Sequence, residues 1–141
     1  MTIHDKDALS QLWQMQWKLM KMTQPSVIRY LGVSGGKENL FRLRARETIL
    51  TSDTELQLTE LTKENILALE DELHEVLGCL NWKPWRRTKK KIDVEHLREE
   101  LIDCLHFMIE LMMIWGLNPR TVLETYSRKH EINLKRQSGG Y

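Results

Sequence analysis

Apolar side chains recur at three- and four-residue steps along most of this chain, which is the signature of amphipathic helices. The first such stretch covers residues 6–22, where Leu9, Leu12, Trp13, Gln16, Leu19 and Met20 share a face and "TQPS" ends the pattern. A second long helix is expected from about Thr62 to Leu80, with Ile66, Leu69, Leu73, Val76, Leu77 and Leu80 as its core stripe. A third starts at Asp93, a plausible N-cap, and reaches Trp115. Its second half is apolar nearly all round, which marks a central position or a subunit interface. Asn118 as N-cap and Pro119 at the first helical position open a fourth, which runs to about Gln137 before the tail "SGGY". Between the first and second helices lie a glycine-rich connection, "YLGVSGGKEN", and a short helix with a basic face, "LFRLRARETIL". The polar, Thr-rich stretch "TSDTELQLTELTKEN" that follows reads as part loop. No linker or low-complexity segment divides the chain, so one all-α domain over 1–141 is expected.

Composition narrows the function classes. A chain of 141 residues is long enough for a real core. Its 21 basic and 20 acidic residues leave a net charge of +1. That balance argues against a protein whose affinity comes mainly from charge, such as a non-specific nucleic-acid coater. Cys79 and Cys104 sit in apolar helical contexts and form no CxxC, so neither a disulfide framework nor a zinc site is indicated. A polar N-terminus and the short apolar run "LMMIWGL" give no secretion signal or membrane span, and the expected setting is cytoplasmic.

The acidic residues change the picture most. "DELHEVL" (71–77) and "EELIDCL" (99–105) repeat one pattern, placing Glu72 and Glu75, then Glu100 and Asp103, three residues apart on one face of each helix. Glu99 falls outside these pairs. None of Glu75, Glu100 and Asp103 has a basic residue four positions later, where a solvated surface helix often places one. Each pair flanks its helix's apolar stripe, so antiparallel packing of the two helices would bring four carboxylates to the rim of the core. Four like charges suit a hard divalent cation such as Mg²⁺, which prefers carboxylate oxygens and keeps waters and phosphates as other ligands. The plainer alternative is two helices edged with solvated acids.

Two basic segments complement the acids. "NWKPWRRTKKK" (81–91) joins Trp82 and Trp85 to six basic residues, offering flat rings for a base and cations for phosphate, or else a simple exposed loop. On the fourth helix Tyr126, Lys129, Asn133, Arg136 and Gln137 form one polar face, followed by Gly139, Gly140 and Tyr141 as a tail that could close over a ligand. His74, His106 and His130 have no metal-ligand spacing, and His106 beside Phe107 equally suits an interior histidine.

"ExxE" followed by "ExxD" resembles the all-α nucleoside triphosphate pyrophosphatases, which include MazG-like enzymes and dimeric dUTPases. The C-terminal "YxxKxxxNxxRQxxGY", "WKPW" (82–85) and "ELIDCLHF" (100–107) are similar to the dimeric dUTPases and the T-even phage type of dCTP/dUTP pyrophosphatase. The likeness is strongest over about residues 70–141, thinner over 9–20 and absent over 23–65. It implies a four-helix-bundle-like core, a homodimer or higher homo-oligomer, and Mg²⁺-dependent hydrolysis of a deoxypyrimidine triphosphate to the monophosphate and pyrophosphate. It further implies Mg²⁺ at Glu72, Glu75, Glu100 and Asp103, with Glu72 or Glu75 also orienting or deprotonating the attacking water. By the same resemblance Lys83, Lys129, Asn133, Arg136 and Tyr141 contact phosphates, and Gln16, Trp85, His106 and Phe107 surround base and sugar. Dimeric dUTPases often follow the first-helix glutamine with an amide or acid. Here Leu19, Met20 and Met22 follow instead, which leaves dCTP open beside dUTP. Two other readings stand beside this one: a broad-specificity MazG-like housecleaning enzyme, and a non-catalytic helical regulatory module.

Overall fold

The computed structural model describes residues 8–25 and 52–139. Over these the fold is all-α, with four helices: α1 (Ala8–Thr23), α2 (Ser52–Gly78), α3 (Val94–Ile114) and α4 (Pro119–Ser138). The glycine-rich connection and the short basic helix expected before residue 51 lie outside the described residues, as does Tyr141. None of the described helices is long and apolar enough to cross a membrane. The chain divides into two compact units, one holding α1 and α4, the other α2 and α3.

In the first unit α1 buries Trp13, Gln16, Trp17 and Met20, one face at three- and four-residue steps. Leu19, expected on that face, is 42 % exposed, and Trp17 takes its place. The larger indole removes more apolar surface from water than a leucine side chain, so it sets the rotation of the helix. Trp13 Nε1 donates to the Leu117 carbonyl at 3.3 Å, fastening α1 to the turn before α4. Gly116 makes that turn with φ 74°, a left-handed conformation that a Cβ would penalise. Asn118 then caps α4 as its sequence suggests. Its side chain accepts from the Thr121 amide at 3.0 Å, and its own amide donates to Thr121 Oγ1 at 2.9 Å. From Tyr126 to Ser138 every α4 residue is exposed.

In the second unit α2 and α3 pack along much of their length. The C-terminal end of α2 meets the N-terminal half of α3, since Asp93 and Glu100 act electrostatically on Cys79 while Glu72 acts on Cys104. The helices therefore run antiparallel. The stretch read as part loop is helical: α2 begins at Ser52, ten residues before the expected start. Its packed face also differs from the expected stripe. Leu58, Leu61, Thr62, Asn65, Ala68, Leu69, Glu72, Val76 and Cys79 are buried or half-buried, whereas Ile66, Leu73, Leu77 and Leu80 are exposed. Small and medium side chains on the contact ridge let the helices approach closely, and the larger aliphatics stand on the flank. Asp93 caps α3, its Oδ1 accepting from the His96 amide at 3.1 Å. The apolar second half of α3 buries Ile109, Met113 and Ile114.

Replacing Asn118 with Ala removes one half of the reciprocal cap and leaves the Thr121 amide without its acceptor. A loss of about 1 kcal/mol of stability is expected, measured by urea unfolding, with Asn118→Asp retaining most of it.

Candidate functional site

The rotated face of α2 has a chemical consequence. Glu72 lies within the ridge that packs on α3, between Leu69 and Val76, and not beside it. Opposite, Glu100 occupies the equivalent ridge of α3 with its side chain only 14 % exposed. Oxygens of Glu72, Glu100 and Asp103 lie within 4.8 Å of one another. Three carboxylates so close cannot all be ionised without strong repulsion. Glu72 records it: partial burial, followed by the charges of Asp103, Glu100, Asp71 and Glu75, holds its carboxyl above the ordinary glutamate range.

Glu75 is exposed and lies outside this group of three, close enough to raise Glu72 but with no oxygen inside the shared sphere. Glu99 points to solvent, 79 % exposed. One further group reaches the cluster: His96 Nδ1 lies 3.4 Å from Glu100 Oε1. Its signal was the four-residue step running backwards from Glu100. The thiols stay out of the chemistry. Burial pushes Cys104 up first and the Glu72 charge next, and Cys79 rises by desolvation and then by Glu100 and Glu75. Both therefore remain protonated thiols, poor metal ligands beside hard carboxylates.

The donor set fits a hard divalent cation. It is all oxygen, it converges from two antiparallel helices held in register by packing, and its mutual repulsion is what a cation would relieve. No Lys or Arg among the described residues pairs with Glu72, Glu100 or Asp103. His106 and Phe107 follow Asp103 by about one turn on α3 and are half-buried. Lys83 and Trp85 lie in the 81–93 connection. Trp85 is 71 % exposed, and Lys83 lines a cavity against the side of α2 that bears His74, Leu77 and Gly78. The other expected contacts belong to the unit of α1 and α4: Gln16 is buried on α1, whereas Lys129, Asn133 and Arg136 are exposed along α4. There Tyr126 stacks on His130, ring centroids 6.4 Å apart.

A family model described as dUTPase matches residues 39–114, more than half of the chain and the whole span of the acidic motifs. The chain belongs to this all-α dUTPase family, within the all-α nucleoside triphosphate pyrophosphatases. It is also 26 % identical to the dCTP pyrophosphatase of Enterobacteria phage T4, over 52 % of this chain and 56 % of that protein. The chain thus spans little more than half the length of the curated relative it matches. No solved structure matches it.

A glutamate whose folded-state pKa is raised adds stability when protonated and loses it as pH rises through that value. Glu72→Gln fixes the neutral form. In EDTA at pH 7 the variant is therefore expected to melt a few degrees above the wild type. The gap should close as pH falls through the carboxylate range, where wild-type Glu72 takes up its own proton. A calorimetric melting series over pH checks both.

Proposed function

We propose that this chain hydrolyses a deoxypyrimidine triphosphate, dUTP first and dCTP second, to the monophosphate and pyrophosphate, with Mg²⁺ as its cofactor. The observation that carries this reading is the convergence of Glu72, Glu100 and Asp103 in a chain of the dUTPase family. The name of the phage relative, a dCTP pyrophosphatase, is what keeps cytosine in view.

In this reading Glu72, Glu100 and Asp103 hold the cation, with Glu75 beside them. A bound Mg²⁺ neutralises the carboxylates, polarises a phosphoryl oxygen and makes a coordinated water more acidic. The residues then have distinct tasks. Cleavage between the α- and β-phosphates needs a water oxygen to bond to phosphorus as the bridging P–O bond breaks, and a base to take the water's proton. Glu75, exposed and outside the tight trio, is the carboxylate free to accept it. Glu72, within the trio, holds and orients. His106 and Phe107 supply a half-buried wall for the sugar and base. For phosphate contacts the reading relies on sequence resemblance alone, through Lys129, Asn133, Arg136 and Tyr141, and it gives Gln16 and Trp85 to the base on the same ground; Lys83, given by the same resemblance, lines a cavity on the other side of α2 and takes no part in this reading.

The test is a pyrophosphate-release assay with Mg²⁺ over all common deoxynucleoside triphosphates. Turnover of dUTP or dCTP well above the purine nucleotides is expected, and no turnover of any pyrimidine triphosphate refutes the proposal. Asp103→Asn should lower kcat at least a hundredfold with the helical circular dichroism unchanged. Glu75→Gln should do the same and leave cation binding largely in place.

A homodimer belongs to the same proposal. Ile66 and Leu73 on α2, with Leu101 and Ile102 on α3, leave large apolar side chains exposed, a composition that suits burial against a second copy. Light scattering is expected to give twice the chain mass, and Ile66→Glu with Leu73→Glu should return it to the monomer. A monomeric wild type removes the dimer from the proposal.

A further inference from the structure

The unit of α2 and α3 carries a second chemical feature, of opposite sign to the carboxylates. A cavity of about 320 Å³ is lined by His74, Leu77 and Gly78 of α2 and, from the connection that follows, by residues including Trp82, Lys83, Arg86 and Lys89. At about 100° per residue, His74, Leu77 and Gly78 lie roughly 140–240° round α2 from Glu72. The cavity therefore faces away from the acidic cluster, and no carboxylate lines it.

The cavity is built. The Asn81 amide donates to the Lys90 carbonyl at 2.8 Å and accepts from the Lys90 amide at 3.0 Å, closing residues 81–90 into a ring against α2. Within that ring the Arg86 amide donates to the Lys83 carbonyl at 3.2 Å, and Trp82 meets Trp85 edge to face at 6.0 Å. Lys83 Nζ stands 5.3 Å from the Trp82 ring centre, which holds the ammonium over the indole. His74 Nδ1 donates to the Glu70 carbonyl at 2.7 Å, fixing its ring. Gly78 opens the floor: a Cβ there would meet nothing within 4 Å. Arg86 and Lys89 form no ion pair with any described carboxylate, so the charge they bring is uncompensated.

We propose that this cavity is a phosphate-ester site separate from the carboxylate centre, and that it takes a ligand of the nucleoside monophosphate class. A planar guanidinium and two ammonium groups around a small volume match a phosphate's charge and its several acceptor oxygens. Trp82, Leu77 and Leu80 give the same ligand an apolar wall, which free phosphate would not use. The volume lies at the small end of ligand pockets and suits one nucleotide, not a polymer. A nucleotide bound here would contact α2 on the side opposite Glu72.

The proposal is tested by calorimetric titration of the full chain with uridine 5′-monophosphate in EDTA. Without a divalent cation the three carboxylates repel phosphate, so heat reports the basic cavity. Binding is expected in the wild type and, unchanged, in Glu72→Gln. Arg86→Ala with Lys89→Ala should weaken it at least tenfold. Gly78→Phe should abolish it by filling space that is open, at a position without positive φ. Uridine and inorganic phosphate should each bind at least tenfold more weakly. Absence of binding at millimolar ligand, equal binding by the Arg86/Lys89 variant, or loss of binding in Glu72→Gln overturns the site. Inorganic phosphate binding as tightly as the nucleotide overturns the nucleoside class. None of these outcomes depends on turnover of a triphosphate.

Discussion

Repulsion among Glu72, Glu100 and Asp103 is the constraint around which the α2–α3 unit is arranged. Carboxylates are ordinarily kept out of helix contacts because desolvation disfavours their charge. Here two of them occupy the contact ridges themselves. The cost is visible in Glu72, whose carboxyl resists ionisation. A helix pair can carry such a cost only if packing elsewhere along it is secure, and Leu58, Cys104 and Ile109 are buried along its length. A cation bound there would relieve the repulsion, and its affinity would then be linked to helix pairing.

The same constraint explains the connection between the two helices. Residues 81–91 carry six basic side chains directly after an acidic helix, and the shortest way to relieve the cluster would be to fold one of them onto it. The structure does not do so. The paired hydrogen bonds between Asn81 and Lys90 turn the ring of residues against the other side of α2. Among the described residues His96 pairs with Glu100 from one turn before it on the same helix. A lysine in the cluster would compete with a divalent cation as a permanent counter-ion. Pinning the loop elsewhere keeps the oxygens available and gathers positive charge in a place of its own.

What the sequence made legible follows from how local each signal is. The caps at Asp93 and Asn118 are set by residues three apart, so both are legible in the sequence. The acidic pairs were readable for the same reason: a three-residue step fixes which side chains share a face. The rotation of α2 was not, because a periodic stripe marks where the large aliphatics lie and not which stripe a neighbour chooses. Ile66, Leu73, Leu77 and Leu80 made the stronger pattern and stayed outside, while Thr62, Asn65 and Ala68 made the contact. The first ten residues of α2 were missed because Thr and Ser lower helix propensity locally, a weak bias that tertiary packing overrides. The basic cavity was invisible because it depends on the long-range pairing of Asn81 with Lys90, which no helical period encodes.

The rotation also changes what Glu75 is suited to do. On a wheel it stands one turn from Glu72, and symmetry with Asp103 would make it a fourth ligand. Once Glu72 moves into the contact ridge, Glu75 is carried to the exposed edge, outside the sphere of the other three. A carboxylate bound tightly to a cation is a weak base, because the cation holds its electron pair. A carboxylate at the edge keeps its basicity and still feels the site's field. In the proposed reading three carboxylates of the quartet would hold the cation and the fourth would accept a proton, a division among like groups that follows from the rotation of the helix.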